Sequence, residues 1–495
     1  MLLGTCSLPS LPPASAARAA AVAPARIDED VAAFYRAREF QPVWVSGRTL
    51  RPEARILLRM TGNPPALTAA ITAAETGDPQ RLTRADLMLS QAYADYVRTH
   101  HRRPAANGMR YIDGGLAPEP HTAAAILTDA AEAPSLAAHL EAVERINPAF
   151  AGLSRGLTLY RAKWSRLPKI TLPANPPEPL LRRRLGVAPT GDLPARLSDF
   201  QRVHGLPRSG RADPATLAAL NRGPAHYEQL ILANIERARA IPARPGARYL
   251  LVDTASAQLW TIEDGRISSR MRVIVGKRSM QTPAMAGLIR YAVLNPYWNL
   301  PPDLIRERAR KGARGIAAER LEVLSDWSPR ARRLDPRRVD WRAVAAGRRL
   351  VNLRQTPGAH NMMGRVKFML PNDLGIYLHD TPLRALFGGD RRQSSGCVRL
   401  EDAARLERWL FQGHTPTANG TPEQRVDLPE AVPVYIAYFT VLPSEDGLVF
   451  QADPYRRDVR PGSAPRRAAR AIRAAPAASR ARRARAAAAR PARRP

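Results

Sequence analysis

The apolar residues of this chain change their spacing near Arg248, and this change constrains the fold more than any other feature. Before that point, as in 27–175, they recur at helical intervals, whereas afterwards short apolar runs alternate with turns, as in strands. Asp264-Gly265, between two such runs, predicts a β-hairpin. The 495 residues are too many for one core. We therefore predict an α+β multidomain protein with a mostly helical domain over 27–175 and a β-rich domain over 246–442.

Composition and apolar pattern also predict three smaller segments within the chain. A proline-rich run at 173–179 predicts a hinge, and 180–222 has the apolar pattern of three short helices around a small core. Inside the β-rich domain, residues 303–350 return to an arginine-rich helical pattern, which predicts a helical insertion between strands. Such an insertion fits a lid over a cleft and a passive stabilising subdomain equally well.

Both ends of the chain differ from the rest. Residues 1–26 are apolar and rich in alanine and proline, and they resemble a secretory leader that lacks the usual basic start, as a truncated start site would explain. Residues 461–495 contain 11 arginines and no acidic residue, which predicts a disordered tail. No other run of about 18 apolar residues occurs, which argues against a spanning helix. We expect an exported, periplasmic protein.

The formal net charge of +32 would draw this chain to any polyanion. Nucleic acid is the obvious candidate, but the sequence has neither zinc-ligand spacing nor an RNA-binding aromatic signature, and much of the charge lies in the tail. We therefore expect no specific nucleic-acid partner. A cell wall bearing anionic polymers, or an anionic lipid surface, would attract the basic tail in the same way.

Cys397, the one cysteine in the interior of the chain, follows His379 by 18 positions. A thiol and an imidazole are the nucleophile and the base of acyl transfer. We predict that His379 ends a short strand and that Cys397 follows a tight turn at 394–396, just upstream of a helix that begins at Glu401. Such a position favours a thiolate and offers backbone N–H groups to an oxyanion, and Arg399 adds positive charge.

Each of these residues also has a purely structural interpretation. Cys397 fits a small buried apolar residue, and His379 fits a strand-end histidine with satisfied hydrogen bonds. The second cysteine, Cys6, lies in the leader, so a processed chain would keep one thiol and no internal disulfide. A lone thiol in an oxidising compartment is easier to explain by chemistry than by packing. We therefore predict a cysteine-dependent acyl transfer that needs no metal and no organic cofactor.

Two segments resemble the signature of the L,D-transpeptidases with a YkuD-type catalytic domain. They are His-x-Thr-Pro at 379–382 and Ser-x-Gly-Cys-x-Arg at 394–399. Upstream stretches at 295–301, 352–358 and 361–368 are similar to the large periplasmic branch of that family. The fold implied by this resemblance is a helical scaffold domain, a small peptidoglycan-binding module and a β-rich catalytic domain.

The resemblance also implies roles for individual residues. Cys397 would be the nucleophile, His379 the base and acid, and Arg399 an orienting cation, while the backbone of Gly396 and Cys397 would contribute to the oxyanion site. The sequence departs from many family members at Asp380, where they have glycine, and at Ser395, where they have histidine. The substrate-binding residues implied in the same way are Tyr377, Ser395 and Trp298.

The helical parts of the chain carry weaker resemblances. Residues 40–44 look like the opening of the scaffold domain, and 200–206 together with 216–221 resemble a peptidoglycan-binding module common in wall enzymes. The alternative for this module is an inert helical spacer. Within it, we predict that His204 is a surface histidine at a helix end and not a metal ligand.

By this resemblance the partners are peptidoglycan stem peptides and glycan strands. Cys397 would attack the carbonyl after the third residue of a tetrapeptide stem, release D-alanine and leave a thioester. An amine of a second stem would then form a 3-3 crosslink. The alternatives are an L,D-carboxypeptidase or amidase of the same fold, attachment of a lipoprotein through a lysine, and a non-catalytic wall-binding scaffold.

Overall fold

The computed structural model describes residues 27–101, 108–118, 122–328 and 330–458. The predicted leader and the predicted tail at 461–495 lie outside the described residues. In the described ranges, no helix combines the length and the apolar character that a membrane crossing requires.

The N-terminal region is helical, as predicted. Several of its helices begin at a side chain that accepts a backbone N–H of the first turn, for example Asp78, Thr122 and Asn147. A short hairpin of β1 (Val45–Ser46) and β2 (Thr49–Leu50) interrupts the helices. The helices are α1 (Glu29–Ala37), α2 (Glu53–Met60), α3 (Pro65–Ala74), α4 (Pro79–His100), α5 (Ala123–Ala131), α6 (Leu136–Arg145) and α7 (Pro148–Tyr160).

The next segment contains the helices expected for 180–222, but the last of them is longer than predicted. Its helices are α8 (Glu178–Leu185), α9 (Leu193–Val203) and α10 (Pro214–Ala238). Helix α10 is kinked at Gly223, whose φ of 75° and ψ of 164° are not helical, and Pro224 follows. The first part of α10 therefore completes the small helical unit, and the second part leads to the β-rich domain.

His204 lies at the end of α9, but it is buried, so the prediction of a surface histidine is wrong. Its Nδ1 lies 2.7 Å from the carbonyl oxygen of Phe200, and its Nε2 lies 3.1 Å from the hydroxyl of Tyr160. The rings of Tyr227 and Phe450 pack against the imidazole. Burial lowers the pKa of His204 to about 4, so the side chain is a neutral part of the core.

The β-rich domain is built on strands that close into a ring. The strands are β4 (Arg248–Asp253), β5 (Gln258–Glu263), β6 (Arg266–Gly276), β7 (Met285–Leu294), β11 (Val366–Met369), β12 (Leu378–His379), β13 (Arg392–Ser394), β14 (Val398–Leu400) and β15 (Gln424–Ala437). Around the ring the order is β11, β12, β14, β6, β5, β4, β15 and β7, and β7 pairs again with β11. Two further strands join the ring from outside this order: β13 pairs with β6, and β3 (Arg110–Tyr111) pairs with β7.

The predicted hairpin at Asp264-Gly265 is confirmed, because it joins β5 to β6. Asp264 has a φ of 48° and Gly265 a φ of 75°, the pair of positive angles that a type I′ turn requires. Helix α14 (Ala403–Leu410) and a terminal hairpin of β16 (Val441–Ser444) and β17 (Gly447–Phe450) complete the domain.

The insertion between β7 and β11 contains helices, as predicted, but it is not purely helical. Its elements are β8 (Trp298–Asn299), α11 (Pro302–Ala309), α12 (Gly312–Ala318), β9 (Leu321–Leu324), α13 (Trp341–Ala345) and β10 (Asn352–Gln355). Strand β9 lies within the stretch predicted to be helical and pairs with β10, which in turn pairs with β8. A four-residue run among arginines is too short for its own pattern to identify it as a strand.

Candidate active site

Two neighbouring parallel strands, β12 and β14, carry His379 and place Cys397 beside it. Their register pairs Leu378 with Val398 and His379 with Arg399. Leu378 and Val398 are completely buried in the core of the ring. Because side chains alternate along a strand, His379, Arg399 and the preceding Cys397 lie on the opposite face. Strand spacing and rise put the Cα atoms of His379 and Cys397 roughly 8 Å apart, within reach of the two side chains.

The imidazole of His379 is held in one orientation by the backbone. Its side chain is almost completely buried, with the residue only 1% exposed, and Nδ1 lies 2.5 Å from the carbonyl oxygen of Asp380. A carbonyl can only accept a hydrogen bond, so Nδ1 carries the proton and donates it. In the neutral ring, Nε2 then keeps its lone pair, which is the state that a general base requires.

Burial and the positive charges around His379 keep it neutral. Burial lowers its pKa first, and the guanidinium of Arg399 lowers it further, to about 3. Lys367 lies opposite His379 on β11 and acts in the same direction. The backbone carbonyls of Asp380 and Met363 oppose these effects by favouring the protonated ring. His379 is therefore an uncharged imidazole throughout the physiological pH range.

Cys397 is half-buried, and its Sγ lies 3.4 Å from the carbonyl oxygen of Gly375, to which the thiol donates. Burial raises the pKa of this thiol to about 11, although a backbone hydrogen bond from Tyr377 and the charge of Arg399 lower it. The helix predicted from Glu401 is present as Ala403–Leu410 with Asp402 as its N-cap, but β14 lies between Cys397 and this helix, so its N-terminus is not adjacent to the sulfur. Without that dipole the resting pair is a neutral thiol and a neutral imidazole.

A raised thiol pKa predicts slow alkylation of Cys397. With a pKa of about 11, only about one thiol in 10⁴ is ionised at pH 7, and this fraction rises about tenfold per pH unit up to pH 10. We expect the second-order rate with iodoacetamide, followed by intact mass, to rise over the same range. A Cys397→Ala variant reports the reaction of Cys6 alone. A plateau in the Cys397 rate below pH 9 would show that the thiol is activated at rest.

The turn before Cys397 is braced by buried hydroxyl groups. Gly396 has a φ of 122°, which favours glycine, and its N–H donates to Ser394 Oγ at 3.1 Å. The hydroxyl of Ser394 donates in turn to the Cys397 carbonyl at 2.6 Å. Since the Gly396 N–H is thus engaged, the Cys397 N–H is the donor of this turn that is left for an oxyanion.

Thr282 is a supporting residue that the sequence did not reveal, because it lies 114 positions before the residue it holds. Its hydroxyl donates to the Gly396 carbonyl at 2.7 Å and accepts the Gly276 N–H at 2.8 Å. Thr282 is 0% exposed, so neither backbone group has water as a substitute partner. The side chain fixes the backbone from which the nucleophile projects.

A Thr282→Val variant is expected to lower the free energy of unfolding by about 2–4 kcal/mol, since it leaves two buried backbone groups unsatisfied. Urea denaturation measures this loss. A Thr68→Val variant is the matched control, because Thr68 is exposed and its hydroxyl bonds only to its own helix, at the Pro64 carbonyl. Equal stability of the two variants would contradict the assigned role.

Two charged residues beside the pair differ in their partners. Arg399 is a partly buried cation whose Nε has no hydrogen-bond partner among the described residues. Burial lowers the pKa of Arg399, and an ionised Cys397 would raise it again. Asp380, by contrast, pairs with Arg384 at 2.5 Å and accepts the Arg365 N–H at 3.0 Å. The Asp380 carboxylate therefore holds the loop after His379 in place. The positive charge of Arg399, by contrast, has no carboxylate partner among the described residues.

The remaining predicted site residues differ in how exposed their side chains are. Tyr377 is half-buried, and its ring centroid lies 5.8 Å from that of His379. Ser395 is exposed in the turn before Cys397. Trp298, only 7% exposed, packs in the core of the insertion, and Tyr377 contacts the same core. The structure thus brings Tyr377, His379, Cys397 and Arg399 together, whereas Trp298 is buried in the insertion core that Tyr377 contacts.

Other parts of the described chain offer less chemistry. Over the described ranges, no three His, Cys, Asp or Glu side chains are grouped so that they could hold a metal ion. A cavity of about 350 Å³ lies in the helical region, where Tyr93, Ile126 and Ile241 help to line it. It does not include Cys397 or His379.

Comparison with known proteins identifies two domains along the chain. Residues 247–432 match the family model of the L,D-transpeptidase catalytic domain, YkuD, and residues 29–157 match that of a scaffold domain. A curated Haemophilus influenzae protein named "Putative L,D-transpeptidase" is 31% identical over 242 residues, which are 46% of this chain and 48% of that protein. The chain therefore spans about half the length of this relative.

Solved structures resemble the chain at low identity. The L,D-transpeptidase from Mycobacterium smegmatis is 12% identical with a TM-score of 0.20, covering 38% of this chain and 58% of that one. The catalytic domain of the Enterococcus faecium enzyme is 14% identical with a TM-score of 0.18, covering 38% and 95%. TM-scores this low add nothing to the domain matches. By those matches, the chain contains a YkuD-type L,D-transpeptidase catalytic domain over residues 247–432, preceded by a scaffold domain over 29–157.

Proposed function

We propose that this protein is a cysteine-dependent L,D-transpeptidase that acts on peptidoglycan stem tetrapeptides and forms 3-3 crosslinks. The observation that carries this proposal is the position of His379 on β12 beside Cys397, which immediately precedes the neighbouring parallel strand β14. The match to the catalytic-domain family supports the same reaction class. The name of the Haemophilus influenzae relative, "Putative L,D-transpeptidase", agrees with it.

Acylation begins with a proton transfer. The hydrogen of the Cys397 thiol turns from the Gly375 carbonyl towards Nε2 of His379, which takes the proton as the sulfur attacks the carbonyl carbon after the third stem residue. The C–S bond forms and the carbonyl electrons move to oxygen. When the tetrahedral intermediate collapses, the imidazolium returns its proton to the amine of the departing D-alanine. A thioester on Cys397 remains.

The pKa values of the pair determine how this step runs. A thiol with a pKa of about 11 and an imidazole with a pKa of about 3 do not exchange a proton at rest. The transfer therefore accompanies attack on the substrate, and the charges that develop need stabilisation in the transition state. The Cys397 N–H serves the oxyanion, and the carbonyls of Asp380 and Met363 serve the imidazolium.

The second half-reaction consumes the thioester. An amine of the diamino acid on a second stem attacks the thioester carbonyl while His379 accepts the amine proton. The C–S bond breaks, the thiol regains its proton and a 3-3 crosslink is made. Water in place of the amine would give the hydrolytic alternative, an L,D-carboxypeptidase. A lysine acceptor would give attachment of a lipoprotein.

Arg399 is the residue we assign to orientation of the donor. Its guanidinium lies on the same face as Cys397 and lacks a carboxylate partner in the described part of the chain. A carboxylate of the stem peptide would supply that partner and fix the scissile bond near the sulfur. Tyr377 and Ser395, on either side of Cys397, are the proposed substrate contacts, and Trp298 would act indirectly through the insertion core.

The other parts of the chain are assigned by the same reasoning. The insertion would cover the cleft as a lid, because its core contacts Tyr377. Residues 180–222 would bind glycan strands, and export to the periplasm would bring the enzyme to its substrate. The basic tail would contact anionic wall polymers or lipid. Each of these assignments depends on the wall being the substrate.

Product analysis tests the proposed function. Purified full-length protein is incubated with disaccharide-tetrapeptide, and the products are identified by mass spectrometry. We expect a dimer that has lost one alanine. Tripeptide without dimer would identify a hydrolase, and unchanged substrate would identify a non-catalytic wall-binding scaffold.

A further inference from the structure

One end of the insertion exposes large apolar side chains. We define the insertion tip as residues 325–328, 330–333 and 346–350. Trp327 is 49% exposed and Leu350 is 87% exposed. Across the described ranges only six large apolar side chains are exposed, and two of them lie in this short stretch. Single exposed apolar residues are normal, but a pair at one place suggests an interaction site.

The strand register places these two residues at the same end of the insertion. Strands β9 and β10 are antiparallel, and their last pair joins Asn352 to Leu324. Trp327 follows Leu324 by three residues and Leu350 precedes Asn352 by two, so both residues lie just beyond that end of the ribbon. We call these two exposed side chains the apolar patch.

Positive charge surrounds this apolar patch. Arg330, Arg332, Arg348 and Arg349 are exposed in the insertion tip. Neighbouring arginines such as Arg333 pair with a carboxylate, but these four have no ion pair within the described residues. Asp326 is the one acidic residue of the tip. Hydrogen bonds from Ser328 and Ser325 and the nearby charge of Arg332 lower the pKa of its carboxyl group.

We propose that the insertion tip docks onto the surface of an anionic phospholipid bilayer. Unpaired guanidinium groups bind lipid phosphates, and tryptophan is preferred at the boundary between head groups and acyl chains. Leu350 would add apolar area buried in that boundary. A wall polymer of sugars and carboxylates satisfies the arginines but offers nothing apolar for Leu350. The combination of charge and apolar area therefore favours lipid.

Docking of the tip would have a consequence for the candidate active site. Tyr377 lies beside His379 and packs against the core of the same insertion. Contact with a bilayer would thus hold the insertion, and the cleft next to it, near the membrane surface. This docking does not depend on the proposed reaction of Cys397.

Vesicle binding of the full chain tests the docking. We expect a Trp327→Ala/Leu350→Ala variant to lose at least tenfold in its partition coefficient on phosphatidylglycerol-containing vesicles at 0.15 M NaCl. The matched control is Phe40→Ala/Ile267→Ala, because both of those side chains are 65% exposed but lie elsewhere. It should change partitioning by less than twofold. Equal partitioning of the two variants would overturn the proposal.

Fluorescence quenching distinguishes the tip from the basic tail. Trp327 is exposed, whereas the other tryptophans are buried or half-buried, so brominated lipids should quench Trp327 selectively. A Trp327→Phe variant should still bind but lose this quenching. Unchanged quenching in that variant would overturn the proposal. So would a loss of binding to purified peptidoglycan, but not to vesicles, in the double alanine variant.

Discussion

A Cys397→Ala variant should lose crosslinked-dimer formation by at least about 10⁴-fold, because no other described group can form the acyl intermediate. Initial rates of dimer release from disaccharide-tetrapeptide, measured by chromatography, give this ratio. The fold should survive the change. Cys397 is small and half-buried, and its thiol makes only weak hydrogen bonds, to the Gly375 carbonyl and with Tyr377. Its thermal unfolding should therefore match that of the unmodified protein.

The other cysteine provides the control for this substitution. A Cys6→Ala variant should keep the full rate, since Cys6 has no role in the proposed reaction. Dimer formation by the Cys397→Ala variant at more than a few per cent of the normal rate would mean that another nucleophile performs the chemistry.

A His379→Asn variant should lose about 10²–10⁴-fold in kcat, the usual contribution of a general acid and base. In the unmodified protein, the pKa of His379 is lowered to about 3. The base is therefore already in its neutral form at pH 5, and kcat/KM should stay level between pH 5 and pH 8. The control is His414→Asn, because His414 is exposed on the surface. An acid limb with a midpoint near 6.5 in the unmodified protein would contradict the neutral pair.

The local structure around His379 and Cys397 could be predicted from the sequence because its signals are local. Apolar residues before His379 indicate a strand, and Gly396 marks the turn that precedes Cys397. Both features are present in the structure. The hairpin at Asp264-Gly265 was predicted for the same reason, since both turn residues need positive φ angles.

Long-range pairing could not be predicted in this way. Strand β9 is stabilised by β10, about 30 positions later in the chain. Strand β3, in the N-terminal region, joins the sheet at β7. Thr282 acts on Gly396 from a distant turn. Such contacts depend on which segments the fold brings together, and no periodicity within one segment contains that information.

Burial was the second property that the sequence did not reveal. His204 looked like a surface residue because it ends a helix, but Tyr160 and Phe450 from other segments cover it. The thiolate expected at Cys397 was inferred from a nearby helix and a positive charge. In the structure a strand separates Cys397 from α14, and burial dominates the pKa of the thiol. Desolvation is set by the whole fold and not by adjacent residues.

The location of the acyl group on the enzyme tests the central claim most directly. The full-length protein is mixed with disaccharide-tetrapeptide, quenched in acid within seconds, digested and sequenced by tandem mass spectrometry. We predict an adduct of the donor minus one alanine on the peptide that contains Cys397, and on no other peptide. An adduct on a different residue, or accumulation of dimer without any adduct on Cys397, would contradict a thioester mechanism at this site.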